Sequence, residues 1–298
     1  MVGRPGWYVV TDPIKRTAQV IPSDPPTFPE LLPYPLESLK AASRHVTPFG
    51  RKLPVPGAEL GDVAAIDWSA AAFAMLAGIP QSGKSVSIND IIAGQLAAGA
   101  ELAILDTRAK SIDFSWCRQF CRAGGWGCDS LEAAVTVLSL AYEEGNRRAE
   151  HLAGLGYVNW LDMPPGEQFG PLLIVVDELS GLLAAEKVPA GIPKTHPLAI
   201  EAMQHNLLVA TLDKYIGKIT AEMRFVGLRM LLSTQVTNQG TGMGPSLKTK
   251  LGHKLLQGRA APGCWPRSRR RTWRSGGPGT ARIPVITMSS ERTAASTA

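Results

Sequence analysis

Residues 78–85 have the composition and spacing of a loop that binds phosphate groups. Gly78 and Gly83 are separated by four residues, and Lys84 and Ser85 follow directly. The glycines let the backbone wrap closely around a phosphate, so that Lys84 reaches the β- and γ-oxygens and Ser85 ligates Mg²⁺. A chance match in a glycine-rich loop is the alternative. The pattern predicts a site for ATP and Mg²⁺ formed by Gly78, Ile79, Pro80, Gln81, Ser82, Gly83, Lys84, Ser85 and Val86.

The residues on both sides of this loop predict the elements that must position it. Residues 72–77 are an apolar run of strand length, and residues 86–93 carry apolar side chains at helical spacing. The N-terminus of a helix under the loop adds a partial positive charge to a phosphate site. A strand before the loop and a helix after it are the context that argues against a chance match.

A second motif adds chemistry to binding. Residues 172–176 are entirely apolar and end in Asp177 and Glu178. An apolar run without alternation is typical of a strand buried on both faces of a parallel sheet, whose carboxyl end is where such sheets hold ligands. Asp177 would then support Mg²⁺ through water, and Glu178 would polarise the attacking water. The alternative is an exposed acidic pair that caps the next helix.

Alternating strand and helix patterns continue along the middle of the chain. Strands are predicted at residues 101–106 and 228–233, and helices at residues 131–155 and 198–225. This alternation predicts an α/β fold with a mainly parallel sheet covered by helices on both faces.

Composition divides the sequence into three regions. Residues 1–57 carry eleven of the 23 prolines and predict an extended arm or a small β-rich entry segment, with a candidate strand at residues 6–10. Residues 58–256 form the predicted ATPase domain. Residues 257–298 are rich in Gly, Pro and Arg, and we expect disorder there. The arginines of this tail either bind nucleic acid or are accidental, as after a change of reading frame.

The net charge of +6 gives little evidence for a basic nucleic-acid face. Residues 257–298 contain eight Arg and one Glu, a net of +7, which leaves about −1 for the preceding 256 residues. No stretch is long and apolar enough to span a bilayer, and no signal-peptide pattern is present, so we expect a cytoplasmic location. Four cysteines fit no zinc spacing and are too few for a disulfide framework, which favours reduced, structural thiols.

The order of these motifs resembles the motor domain of the FtsK/SpoIIIE DNA translocases, including the TraB-type conjugation proteins of actinomycete plasmids. Besides the phosphate loop and residues 172–179, the resemblance includes residues 104–108, with Thr107 where proline is usual, and residues 146–149 with the turn at 155–159. Residues 224–235 are similar to the family's Arg-x-x-Gly-Ile-His-Leu and Ala-Thr-Gln segment. The resemblance implies that Gln235 senses the γ-phosphate. Arg224, or another arginine, is the candidate for a phosphate contact to a neighbouring subunit. The resemblance also implies the RecA-like P-loop NTPase class of the α/β fold.

The sequence departs from the family pattern in two places. Val236 and Thr237 replace the usual Arg-Pro, and the family's last strands are not recognisable after Gly258. No segment resembles the family's membrane anchor or its DNA-reading winged-helix domain.

The resemblance implies an ATP-driven motor that forms a homo-hexameric ring and moves double-stranded DNA without strong sequence preference. Plasmid conjugation and chromosome segregation are both compatible processes, and a membrane-associated partner could recruit the chain. A motor of the same fold that moves protein, as in type VII secretion, is one alternative. The other is a truncated remnant that binds nucleotide without motor activity.

Overall fold

A computed structural model describes residues 7–12, 16–22, 36–52, 61–107, 109, 111–188, 190–235 and 244–257. The strands are β1 (Trp7–Asp12), β2 (Thr17–Pro22), β3 (Val46–Arg51), β4 (Val63–Asp67), β5 (Phe73–Gly78), β6 (Glu101–Leu105), β7 (Cys121–Gly127), β8 (Leu172–Val176), β9 (Leu228–Thr234) and β10 (His253–Gln257). The α-helices are α1 (Leu36–Ala41), α2 (Lys84–Ala97), α3 (Leu131–Leu155), α4 (Leu179–Leu182), α5 (Pro197–Glu222) and α6 (Pro245–Lys250). Short 3₁₀ segments are Ser111–Phe120, Trp160–Asp162 and Arg224–Val226.

Six of these strands form one parallel sheet in the order β10-β5-β9-β8-β6-β7. The strands predicted at residues 72–77, 101–106, 172–176 and 228–233 are β5, β6, β8 and β9, and the three predicted helices are α2, α3 and α5. Parallel strands require crossover connections, which these helices supply. The predicted α/β fold with a parallel sheet is therefore confirmed.

The sheet is buried on both faces, because successive side chains of its central strands alternate between two cores. In β8, Leu172, Ile174 and Val176 belong to a core shared with α3 and α5. Leu173 and Val175 belong to the opposite core, which includes α2 and the β3–β4 pair. This alternation explains why these strands read as continuous apolar runs. Helices cover both faces as predicted, and a small antiparallel pair adds to the α2 side.

The proline-rich first region contributes ordered elements. Strands β1 and β2 pair antiparallel, and β1 contains most of the strand predicted at residues 6–10. Strand β3 pairs antiparallel with β4, so this pair joins residues before and after the predicted boundary at residue 57. A register shift lies between Pro48 and Gly50, where a bulge accommodates the proline.

Two strands of the sheet were not predicted. Strand β7 contains three glycines and has a φ of 69° at Gly124, and β10 is only five residues long. Both lie at the edges of the sheet, where fewer apolar positions are needed. Strand β10 includes Gln257, the residue at which the predicted tail begins. The rest of that tail lies outside the described residues.

The described cysteines are consistent with a structural role. Cys117 and Cys128 are buried, and burial raises the pKa of each thiol to about 12. Thiols with such pKa values carry almost no reactive thiolate at neutral pH. Among the described residues, no helix combines the length and apolar character needed to cross a bilayer.

Replacing Leu173 by alanine tests the doubly buried sheet. Leu173 is fully buried, so the variant should lose about 2–5 kcal/mol of the free energy of unfolding through lost contacts and a cavity. Leu207→Ala is the matched control, because Leu207 is 68% exposed on α5 and should change stability by less than about 0.5 kcal/mol. Urea unfolding measures both. Similar losses for the two variants would contradict the burial described here.

Candidate nucleotide site

The predicted phosphate loop connects β5 to α2 and presents backbone amides. Gly78 is the last residue of β5, and α2 begins at Lys84. Gly83 has a φ of 83°, in the left-handed region where glycine is favoured. The amide of Ser87 donates the first hydrogen bond of helical spacing, to Gly83 O. No side chain caps the N-terminus of the helix. The amides of the first turn are therefore available to an anion.

The backbone at Gly78 is closely packed against two side chains. A Cβ there would overlap Ser82 Oγ and would lie 3.2 Å from Gln257 Cβ. Gln257, at the end of β10, also donates a 2.6 Å hydrogen bond from Nε2 to Ser87 Oγ. Strand β10 therefore supports the phosphate loop from the edge of the sheet. Sequence reasoning missed this residue, because its short edge strand gives little signal.

Lys84 connects the loop to two other strands. Its ammonium forms an ion pair with Asp177 Oδ1 and donates a 2.8 Å hydrogen bond to Ser233 Oγ. Glu178 Oε2 lies 4.0 Å from the same nitrogen. Asp177 follows β8, and Ser233 lies near the end of β9. The structure thus brings the predicted Lys84, Asp177 and Glu178 together at the carboxyl edge of the sheet.

Glu178 is held inside this cluster. It is 7% exposed and has a φ of 46°, so its backbone is in the left-handed region that a side chain disfavours. Its Oε1 accepts a 2.7 Å hydrogen bond from Ser180 Oγ, and its Oε2 accepts a 2.8 Å hydrogen bond from Gln235 Nε2. Glu178 stands at the N-cap position of α4, but its side chain makes no capping hydrogen bond. The exposed helix cap considered from the sequence is therefore not what this carboxylate forms.

Gln235 lies one residue beyond β9, at the carboxyl edge of the sheet. Its amide nitrogen is bound to Glu178 rather than to a main-chain group. A change in the position of Gln235 would therefore change the hydrogen bonding of Glu178 directly. Ser180 and Ser233 complete the cluster, and sequence reasoning identified neither as a site residue.

The residues around the loop suit Mg²⁺ only in combination with a nucleotide. Ser85 lies in the first turn of α2, next to the lysine that pairs with Asp177. Hydroxyl and carboxylate oxygens are ligands that Mg²⁺ accepts, with phosphate oxygens and water completing its octahedron. Within the described part of the chain, no group of three His, Cys, Asp or Glu side chains could hold a metal by itself. Ser85 and Asp177 would therefore bind Mg²⁺ together with phosphate groups.

Arg224 lies at the other edge of the sheet. It is in the 3₁₀ segment before β9, whereas Gln235 follows that strand. Seven strand residues at ~3.3 Å each separate the two edges by roughly 20 Å. The Nη2 atom of Arg224 donates weak hydrogen bonds to the carbonyl oxygens of Ser69 and Ala70, at 3.4 and 3.2 Å. Arg224 therefore cannot contact phosphate at the loop of its own subunit, and a role toward a neighbouring subunit stays a prediction.

No known family profile and no curated protein matches the chain. Solved structures with the same fold include the pCW3 conjugation coupling protein TcpA in its monomer form with ATPγS, with a TM-score of 0.61 and 17% identity over 84% of this chain and 64% of that one. EssC ATPases 2 and 3 from Geobacillus thermodenitrificans give a TM-score of 0.57 and 14% identity, over 78% of this chain and 40% of that one. The cytoplasmic domain of EssC gives a TM-score of 0.52 and 12% identity, over 83% of this chain and 46% of that one.

These comparisons show the fold and not more, because the identities are low. The chain spans less than two thirds of the length of each of these proteins. The fold is that of P-loop ATPases, as the phosphate loop and the parallel sheet indicate independently.

Lys84→Ala is expected to weaken the binding of ATPγS about ten- to hundredfold, because a charge-assisted contact to phosphate is lost. ATP hydrolysis should become undetectable. Titration calorimetry and phosphate release measure the two effects. Lys187→Ala, at an exposed position, is the matched control and should behave as the wild type. Equal affinity and turnover in both variants would refute the assignment of the loop.

Glu178→Gln should separate binding from hydrolysis. The amide keeps the size of the side chain but cannot accept a proton from water, so turnover should fall at least about 100-fold while ATPγS affinity changes little. Glu167→Gln, on the exposed surface, controls for the loss of a negative charge. Normal hydrolysis by Glu178→Gln would assign the activation of water to another residue.

Proposed function

We propose that the chain hydrolyses ATP with Mg²⁺ at the carboxyl edge of the parallel sheet. The observation that carries this proposal is the convergence of Lys84, Asp177, Glu178 and Gln235 from the ends of three strands. Each of these side chains has a separate task in phosphoryl transfer, and a purely structural cluster would not need a loop of free amides beside it.

The charges of the cluster explain why Mg²⁺ is part of the proposal. One lysine faces two carboxylates, so the side chains alone carry a net negative charge where phosphates are to bind. A divalent ion held by Ser85 and by Asp177 through water would balance this charge. The amides of residues 81–86 and the ammonium of Lys84 would then contact the phosphate oxygens. On binding, Lys84 would exchange part of its contact with Asp177 for phosphate.

The proposed chemistry is attack of water on the γ-phosphate. Glu178 lies 4.0 Å from Lys84 Nζ, close to where the γ-phosphate would lie, and its carboxylate would orient the water and accept its proton. Gln235 would sense the γ-phosphate, and its hydrogen bond to Glu178 supports a direct connection between sensing and water activation. Hydrolysis breaks the bond between the γ-phosphorus and the bridging oxygen, and ADP leaves with that oxygen.

We further propose that hydrolysis drives movement of double-stranded DNA, in a motor of the FtsK/SpoIIIE type. Support comes from the motif order described above and from the shared fold of a conjugation coupling protein. In this proposal the subunits form a homo-hexameric ring in the cytoplasm, and Arg224 completes the site of an adjacent subunit. The distance between Arg224 and its own loop favours such an arrangement. Contacts to the DNA backbone would give no strong sequence preference. A membrane-associated partner could recruit the ring during plasmid transfer or chromosome segregation.

A protein cargo is the alternative. EssC ATPases share the fold at a comparable TM-score, so the fold alone does not choose between cargoes. A chain that binds nucleotide without moving anything is a third outcome.

DNA stimulation of ATP turnover tests the cargo. We expect double-stranded DNA to increase the turnover of the wild-type chain at least about fivefold, and DNAs of different sequence to act equally. Glu178→Gln, assayed in parallel, excludes a contaminating ATPase. Turnover that DNA leaves unchanged would contradict the DNA motor and favour a protein cargo. Binding of ATPγS without any turnover would favour the remnant.

A further inference from the structure

A cavity of about 50 Å³ lies at the amino edge of the sheet, on the side away from Lys84. Its wall includes His45, Trp68, Trp160, Arg224 and Arg229, which come from separate parts of the chain. No aspartate or glutamate is among its described lining residues. The described part of the cavity wall therefore combines two arginines with aromatic side chains.

Arg229 is a buried cation without a counter-ion among the described residues. It is 2% exposed, on β9, and none of the described carboxylates lies within 4.0 Å of its guanidinium. Its hydrogen bonds go to uncharged oxygens, at 2.6 Å to Gln95 Oε1 and to the carbonyl of Arg44. Indole rings lie 5.5 and 5.8 Å from it. Burial lowers the pKa of Arg229 to about 9, so the side chain remains protonated at neutral pH.

Arg148 on α3, the other buried arginine among the described residues, is a cation whose charge is neutralised. Arg148 is 3% exposed, and its guanidinium pairs with Glu144 at 2.6 Å and with Glu101 at 3.1 Å. Buried charges in proteins are normally neutralised in this way, because an unpaired ion loses its hydration without an equivalent gain. Amide and carbonyl oxygens replace that hydration only in part. The contrast indicates that Arg229 accommodates a negative group from outside the described residues.

Three further polar residues line the same cavity: Arg224, His45 and Asn159. Arg224 uses one nitrogen, Nη2, for its two weak contacts to carbonyl oxygens, which leaves its other N–H groups available. The Nδ1 atom of His45 is buried and has no hydrogen-bond partner among the described residues. Asn159 lines the wall and accepts a bond from Leu161 N with its side-chain oxygen, so its amide N–H groups are not used by that contact.

We propose that this cavity binds a small oxyanion group, a phosphate or a carboxylate, between Arg224 and Arg229. The group accepts hydrogen bonds from both guanidinium groups and neutralises Arg229, while the indoles of Trp68 and Trp160 flank that side chain. On the order of 10–15 Å³ holds one water, so the cavity fits a group of a few atoms and excludes a nucleotide. Within one subunit this site lies at the opposite edge of the sheet from the phosphate loop, and it shares Arg224 with the contact to an adjacent subunit proposed above.

Titration of the full chain with inorganic phosphate, and separately with acetate, tests this site. Both titrations are made at constant ionic strength with saturating ATPγS and Mg²⁺, so that the phosphate loop is occupied. Tryptophan fluorescence and the melting temperature report binding, since two indoles line the cavity. Arg224→Gln removes an exposed guanidinium at its rim. Arg147→Gln is the matched control, because Arg147 is 65% exposed on α3, away from the cavity.

We expect saturable binding of at least one of the two anions, weakened about tenfold in Arg224→Gln and unchanged in Arg147→Gln, as for the loss of one charge-assisted hydrogen bond. Binding of phosphate alone or of acetate alone identifies the oxyanion. His45→Gln is a second variant. Weaker binding of the same anion by this variant than by the wild type would also support the site. A response that does not saturate, or equal affinities in Arg224→Gln and Arg147→Gln, would overturn the proposal.

Discussion

The ion pair between Lys84 and Asp177 is the contact around which the candidate site is organised. It joins the start of α2 to the end of β8, and it places the ammonium within 4.0 Å of Glu178. Both partners are nearly buried, so removal of Lys84 would leave the Asp177 carboxylate buried without this cation. The ion pair also holds the Lys84 ammonium in position for a phosphate. A phosphate that binds there would compete with Asp177 for this ammonium.

The parallel sheet explains why this pair can form at all. Strands β5, β8 and β9 run in the same direction and are neighbours, so the residues that follow them meet at one edge. Gly78, Asp177 and Gln235 all stand at such strand ends. The same geometry places Arg224, which precedes β9, at the other edge, where it lines a cavity together with Arg229. None of the described residues that line this cavity is acidic. The phosphate loop and the cavity therefore present different chemistry: acidic groups with one lysine surround the loop, and arginines with indoles line the cavity.

Sequence reasoning located the central strands and the phosphate loop because both are set by local pattern. A strand buried on both faces must be apolar throughout, and a loop that wraps phosphate needs its glycines and lysine at fixed spacing. It missed β7 and β10, since edge strands tolerate glycine and polar residues. It also could not show that Gln235 binds Glu178, or that Gln257 supports the loop. Those contacts depend on which strands become neighbours, and no local pattern contains that information.

A crystal structure of the wild-type chain with ATPγS and Mg²⁺ tests the central claim most directly. We expect the γ-phosphate within hydrogen-bonding distance of Lys84 Nζ, about 2.7–3.2 Å, with Mg²⁺ on Ser85 Oγ and a water between Glu178 and the phosphorus. Gln235 should then contact the phosphate. A nucleotide bound elsewhere on the chain would refute the proposed site, and so would phosphates in the loop that leave Lys84 paired with Asp177 alone.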